Sequence, residues 1–131
     1  MKELRIIIAG GRNFDDFPLL MKKCNEILYN IDNRYEDFET VRIISGTAKG
    51  ADQLGERFAK VFGYPVYLFP ANWDMYGKSA GYRRNAEMAM FAKADNSIGV
   101  LIAFWDGKSK GTKHMIDLAN KNELEVNVIN Y

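Results

Sequence analysis

Three glycine-rich clusters in this sequence gather residues that can handle an anion. They are Gly10-Gly11-Arg12, Ser45-Gly46-Thr47-Ala48-Lys49-Gly50-Ala51-Asp52 and Asp106-Gly107-Lys108-Ser109-Lys110-Gly111-Thr112. Glycine lets backbone N–H groups approach a ligand closely, and a helix starting directly afterwards adds a partial positive charge. Hydroxyls at Ser45, Ser109 and Thr112, with cations at Arg12, Lys49, Lys108 and Lys110, complete the chemistry of a phosphate cradle. Any one such turn is also what a tight strand-to-helix connection needs; three on one edge of a sheet favour phosphate. The familiar nucleotide motifs are absent. Gly46–Gly50 lacks a G-K-[ST] ending and no G-x-G-x-x-G follows the first apolar run, which disfavours triphosphate hydrolysis and NAD-dependent hydride transfer.

Asp52 and Asp106 are the acids placed for proton transfer, water activation or a hydrogen bond to a ribose hydroxyl. Helix capping explains Asp52 without chemistry, and a turn-forming aspartate explains Asp106. Arg83 and Arg84 fall near a helix start, where a cation opposes the dipole, so an anion held by a guanidinium fork gives at least one of them a reason to be there. A solvated helix face with carboxylate partners accounts for the other. Arg12 is poised for a phosphate contact or a surface salt bridge. Trp73, Tyr76 and Trp105 are the aromatic residues closest to the glycine clusters. Trp73 suits stacking on a nucleobase, whereas Tyr76 and Trp105 suit packing of the 70–81 loop and the protein body as well or better. Met88, Met90 and Phe91 read as core at helical spacing. His114, the one histidine, reads as a solvated helix residue, and with Cys24 the one cysteine there is no ligand set for a metal and no disulfide framework. A single cysteine fits a reducing cytoplasm.

These residues need a scaffold that gathers the clusters. Apolar runs of strand length, Leu4–Ala9, Val41–Ser45, Pro65–Phe69, Ile98–Phe104 and Glu125–Ile129, alternate with segments of helical period. The runs lack a clean period of two, as expected of strands covered on both faces. Leu20, Cys24, Ile27, Leu28 and Ile31 share one helical face, as do Ala51, Leu54, Phe58, Val61 and Phe62. A third helix is expected from about Tyr82 to Lys93 and a fourth from about Thr112 to Lys121. Asp15 or Asp16 ahead of Pro18 suits the start of the first helix, and Gly63 the end of the second. The stretch from Asn30 to Thr40 reads as a loop or a fraying extension of the first helix. The expected fold class is α/β: a Rossmann-like three-layer αβα sandwich over residues 1–131, with a parallel five-stranded sheet in the order 3-2-1-4-5. Every glycine cluster then follows the carboxyl end of a strand, beside the point where strand order reverses.

The 131 residues amount to about one domain, with 47% hydrophobic and 13% aromatic residues supplying a core and excluding disorder. A net charge of +1 gives no global attraction to a phosphate backbone or an anionic membrane, which argues against a nucleic-acid partner. The Leu4–Ala9 run is too short to span a membrane or form a signal-peptide core.

The blocks IIIAGGRNFDD, RIISGTAKGADQLGERFA, FPANWDMYGKSAGYRRNAEMA and AFWDGKSKGTKHMIDLA, taken in order, resemble the YspA-like (cpYpsA-related) group of the SLOG superfamily. That superfamily includes the lonely-guy phosphoribohydrolases and the DNA-processing protein DprA. The resemblance implies a nucleotide or nucleotide derivative as ligand, no separate cofactor, and assembly as a homodimer or larger homo-oligomer. Arg84-Asn85-Ala86-Glu87-Met88 looks like the R-K-x-x-M stretch of the lonely-guy enzymes, with Arg84 on the functional arginine. Gly107–Thr112 looks like their P-G-G-x-G-T-x-x-E stretch. Met115 stands where that motif has its catalytic glutamate, and a thioether neither transfers a proton nor stabilises an oxocarbenium ion by charge. Three functions follow: a module that senses, carries or sequesters a nucleotide derivative; a hydrolase of the N-glycosidic bond of nucleoside 5′-monophosphates using Asp52 or Asp106; and a DprA-like binder of single-stranded nucleic acid. The first needs the cradle and no acid at Met115.

Overall fold

The structure, a computed structural model, describes residues 2–34 and 38–131. Five strands, β1 (Lys2–Gly10), β2 (Phe38–Ser45), β3 (Val66–Leu68), β4 (Ile98–Trp105) and β5 (Glu125–Asn130), form one parallel sheet in the order β3-β2-β1-β4-β5. The helices are α1 (Phe17–Arg34), α2 (Ala51–Phe62), α3 (Trp73–Tyr76), α4 (Ala80–Lys93) and α5 (Lys110–Lys121). Leu4, Ile6 and Ile8 of β1 point into the layer formed by α1 and α2, while Ile7 and Ala9 point into the layer formed by α4 and α5. Both faces of the central strand are thus dry, which is why its sequence shows no alternation. The α/β sandwich and the strand order agree with the sequence reading.

Local signals explain the boundaries. Asp16 caps α1, its Oδ1 accepting the Leu19 N–H at 3.1 Å. Gly63 ends α2 in the left-handed conformation at φ 74°, donating to the carbonyls of Ala59 and Lys60. Asn30–Arg34 continue α1 and Phe38–Thr40 open β2, and residues 35–37 of the stretch expected as a loop or helix extension lie outside the described residues.

Four expectations are corrected. The 70–81 segment carries α3 and a 3-10 turn at Gly77–Ser79, because the Asn72 side chain caps the Met75 N–H at 3.1 Å and the Ser79 hydroxyl donates to the Tyr76 carbonyl at 2.9 Å. On α2 the buried stripe is Ala51, Asp52, Gly55, Phe58 and Ala59, and Val61 and Phe62 face outward. Gly55 sets that rotation: a Cβ there would lie 2.8 Å from Ile8 Cβ, so the helix packs its smallest residue onto the strand. Met90 is 67% exposed, although Met88 on the same helix is buried at 2%. His114 is half-buried rather than solvated, against the Tyr82 ring at 4.3 Å.

Arg5 interrupts the apolar run of β1 for a structural reason. Its guanidinium donates to the Phe91 carbonyl at 2.7 Å, to Asp95 at 3.1 Å and to Glu3 at 2.8 Å, and lies 4.1 Å from the Phe91 ring centroid. One buried cation thereby fastens the end of α4 to the central strand. Cys24 is fully buried in α1, and burial pushes its thiol up to about 12, which keeps it unreactive. Among the described residues no helix is long and apolar enough to cross a membrane.

Candidate functional site

The three glycine clusters meet at the carboxyl edge of the sheet, where β1 and β4 send their chains to opposite faces. A cleft of about 370 Å³ opens there, and the residues lining it include Gly10, Gly11, Arg12, Asp52, Arg84 and Asn85. On its far wall stand Asp106, Ser109, Gly111 and Thr112, with Met88 and Met115 also exposed to it. A second hollow, of about 460 Å³, adjoins it and takes in Gly46, Lys49, Trp73 and, again, Arg12 and Arg84. Ser45, Gly50 and Gly107 frame the turns without lining either hollow.

Arg84 is the cation this architecture builds most deliberately. It projects from the second turn of α4, where its Nε donates to Asn85 Oδ1 at 3.0 Å and its Nη1 donates to the Gly46 carbonyl. Gly46 is required by that approach: a Cβ there would sit 2.8 Å from both Arg84 Nη1 and Asp52 Oδ2. Asn85 is held in turn by Gly111 and His114, its Nδ2 lying 3.4 Å from the Gly111 carbonyl and 3.2 Å from His114 Nδ1. Burial holds the Arg84 pKa below its usual value, against the opposing charge of Asp52, yet an arginine stays protonated. Among the described residues no carboxylate forms an ion pair with it.

Asp52 is 5% exposed in the first turn of α2. Its Oδ2 accepts the Ala48 N–H at 3.2 Å, so it closes the Ser45–Gly50 turn. Burial raises its pKa from 3.8 to about 6, with the Ala48 hydrogen bond and the charge of Arg84 working against the rise. Between those two values the folded state binds more protons than the unfolded one, so the buried carboxyl erodes stability as pH climbs from 4 to 6. Asp52→Asn should therefore gain stability relative to the wild type by on the order of 3 kcal/mol between pH 4 and pH 7. Paired urea titrations across that range would measure it, and parallel curves would show that Asp52 titrates normally.

Asp106 sits differently. Its Oδ1 accepts the N–H groups of Ser109 and Lys108, each at 2.8 Å, and these bonds hold its pKa below the usual carboxylate range. It is a turn-forming residue on the rim, and the ionised state those bonds favour does not suit it to donate a proton.

The backbone amides do not form the open row that their glycines suggest. The Thr47 N–H donates to Ser45 Oγ at 3.1 Å, the Thr112 N–H to Ser109 Oγ at 3.3 Å, and the Ala51 N–H to the Gly11 carbonyl at 3.2 Å. Positive charge in the cleft is supplied mainly by guanidinium groups. Of the aromatic candidates, Trp73 is 51% exposed beside the second hollow. Tyr76 carries the Arg83 guanidinium over its ring at 4.3 Å, which disposes of Arg83 as a cleft residue. Trp105 donates its indole N–H to the Ser109 carbonyl at 3.1 Å and fastens the loop. Lys108 and Lys110 line neither hollow. Lining residues missed at the sequence level are Ala9, Asn13, Ala48 and Tyr131. Tyr131 follows β5, whose carboxyl end borders the same edge, and that placement was the available signal.

A model of the YspA, cpYpsA-related SLOG family matches residues 4–76. The chain is 37% identical over 127 residues to the Gene 61 protein of Mycobacterium phage D29, covering 93% of each. No solved structure matches it significantly.

Proposed function

The chain belongs to the YspA, cpYpsA-related SLOG family, and from that premise we propose that it binds a nucleoside 5′-phosphate or a derivative of one in the switch-point cleft. The observation that carries this reading is Arg84: a half-buried guanidinium, held by a backbone carbonyl and Asn85, that among the described residues makes no direct ion pair, Asp52 being its nearby opposing charge. Arg12 adds a second positive charge near it, so the two guanidinium groups carry more charge than Asp52 balances. A phosphate accepting from Arg84 and Arg12 supplies the balance. Asp52 and Asn85 offer partners to sugar hydroxyls, and the exposed face of Trp73 suits a base.

Binding is favoured over glycosidic cleavage because Met115, 1% exposed at the cleft, puts a thioether where cleavage calls for a carboxylate. Native mass spectrometry of the freshly purified protein, followed by calorimetry with AMP, GMP and UMP, tests the proposal. A one-to-one complex with at least one of them is expected, with no free base appearing on chromatography. Absence of binding at millimolar nucleotide would sink the reading; brisk release of free base would convert the binder into an enzyme.

A further inference from the structure

Asn85 is 6% exposed, and both polar atoms of its side chain are engaged. Its Oδ1 accepts the Arg84 Nε–H at 3.0 Å, while its Nδ2 lies 3.4 Å from the Gly111 carbonyl and 3.2 Å from His114 Nδ1. A guanidinium only donates and a carbonyl only accepts, so these two neighbours fix which end of the amide is oxygen and which is nitrogen. The third contact then has one reading. Facing an N–H of Asn85, His114 Nδ1 must accept, which makes the ring neutral with its proton on Nε2. An imidazolium would set N–H against N–H. Asn85 cannot answer by turning over, because its NH2 would then meet the Arg84 Nε–H and its oxygen the Gly111 carbonyl.

We propose that His114 is a positioning residue for the anion site: the neutral imidazole holds Asn85, Asn85 aims Arg84, and a proton on Nδ1 releases both. This rests on the nucleotide reading above and adds acid sensitivity to it. His114 lines neither hollow, so it acts through Asn85. From α4 the ring faces Asn85 and Tyr82, whose ring centroid lies 4.3 Å away. On α5 it feels Asp117, which favours the imidazolium but is itself paired with Lys113 at 3.1 Å. Burial outweighs Asp117 and holds the His114 pKa below its usual 6.5. The site is therefore set at neutral pH and let go in mildly acidic solution. Asp52, with its pKa raised to about 6, titrates in the same region with the opposite sign, since its protonation removes negative charge beside the arginines.

NMR of the ligand-free protein, titrated from about pH 8 to about pH 5 across the usual histidine range, gives the first test. The His114 ring, the Asn85 side-chain amide and the Arg84 Nε–H are expected to shift with one common midpoint. His114→Asn keeps an acceptor oxygen near the place of Nδ1 at every pH, so that midpoint should vanish from the other two signals and leave only what Asp52 causes. Asn85→Asp offers the ring a carboxylate that accepts from an imidazolium, so in that variant the His114 midpoint should move to higher pH. Calorimetry with AMP, GMP and UMP at the two ends of the titration gives the second test. Titration of the nucleotide phosphate and of Asp52 is common to the wild type and His114→Asn, so their difference isolates the ring. On acidification the wild-type affinity should fall about three- to tenfold further than that of the variant, the worth of one hydrogen bond. Asn85 and Arg84 signals that ignore the His114 midpoint, or keep it in His114→Asn, would overturn the relay. Nucleotide affinities with the same pH response in both proteins would overturn its role in binding. Failure of every nucleotide to bind, with the common midpoint present, would uphold the relay while sinking the nucleotide reading.

Discussion

Gly50→Ala should destabilise the folded chain by at least about 3 kcal/mol, combining a strained backbone with a clash that nothing can relieve. Gly50 holds φ 82° and ψ −126°, a conformation that residues with a Cβ rarely adopt. A Cβ there would lie 2.3 Å from the Gly11 carbonyl oxygen and 2.6 Å from that of Arg12. Those atoms are backbone, and the Gly11 carbonyl already accepts the N–H groups of Phe14 and Ala51, each at 3.2 Å. Moving it would break the turn after β1 and the start of α2 together. The melting temperature should fall by roughly 10–15 °C in calorimetry. Gly63→Ala is the control: its φ is 74° but a Cβ meets nothing within 4 Å, so only the conformational cost of about 1 kcal/mol applies. Equal losses in the two variants would show that contact with the Gly11 turn is irrelevant.

Arg84→Ala should weaken nucleotide binding by roughly 1.5–3 kcal/mol, about ten- to a hundredfold in Kd. The substitution removes a half-buried donor of the cleft and leaves the Gly46 carbonyl without its guanidinium. Arg84→Lys should recover part of the loss, since it keeps the charge without the Nε bond to Asn85. A second readout separates a direct role from a general disturbance. The Arg84 charge holds the Asp52 pKa down, so its removal should move the Asp52 titration upward from about 6, visible as a carboxyl chemical shift in NMR. Unchanged affinity with a normal melting temperature would remove Arg84 from the binding role.

Much of the fold was legible because the central strands are dry on both faces and announce themselves as apolar runs without alternation, from Leu4–Ala9, broken only by Arg5, to Ile98–Phe104. Helix ends marked by Asp16 and Gly63 were legible for the same reason: the chemistry is local. The short α3 escaped because a single Asn72 cap, without an apolar period, is a weak signal. Val61, Phe62 and Met90 were misplaced inward because helical spacing defines a stripe but not how Gly55 rotates it toward the sheet. In the site, glycine clustering and strand order pointed to the sheet edge at which the cleft opens. Which amides the neighbouring side chains consume was not legible. Ser45, Asp52, Asp106 and Ser109 fold back onto their own turns, a preference set by the turn geometry rather than by residue type.

The Arg5 anchor bears on how the cleft accommodates what enters it. Since the end of α4 is riveted to β1 through the Phe91 and Ala94 carbonyls, the helix carrying Arg84 and Asn85 is a stationary jaw, referenced to the middle of the sheet. The opposing jaw is the α3 segment with Trp73, where no residue from Trp73 to Ser79 is buried and few contacts resist displacement. Adjustment to ligands of different bulk therefore falls on the tryptophan side, while the arginine side keeps a constant gauge.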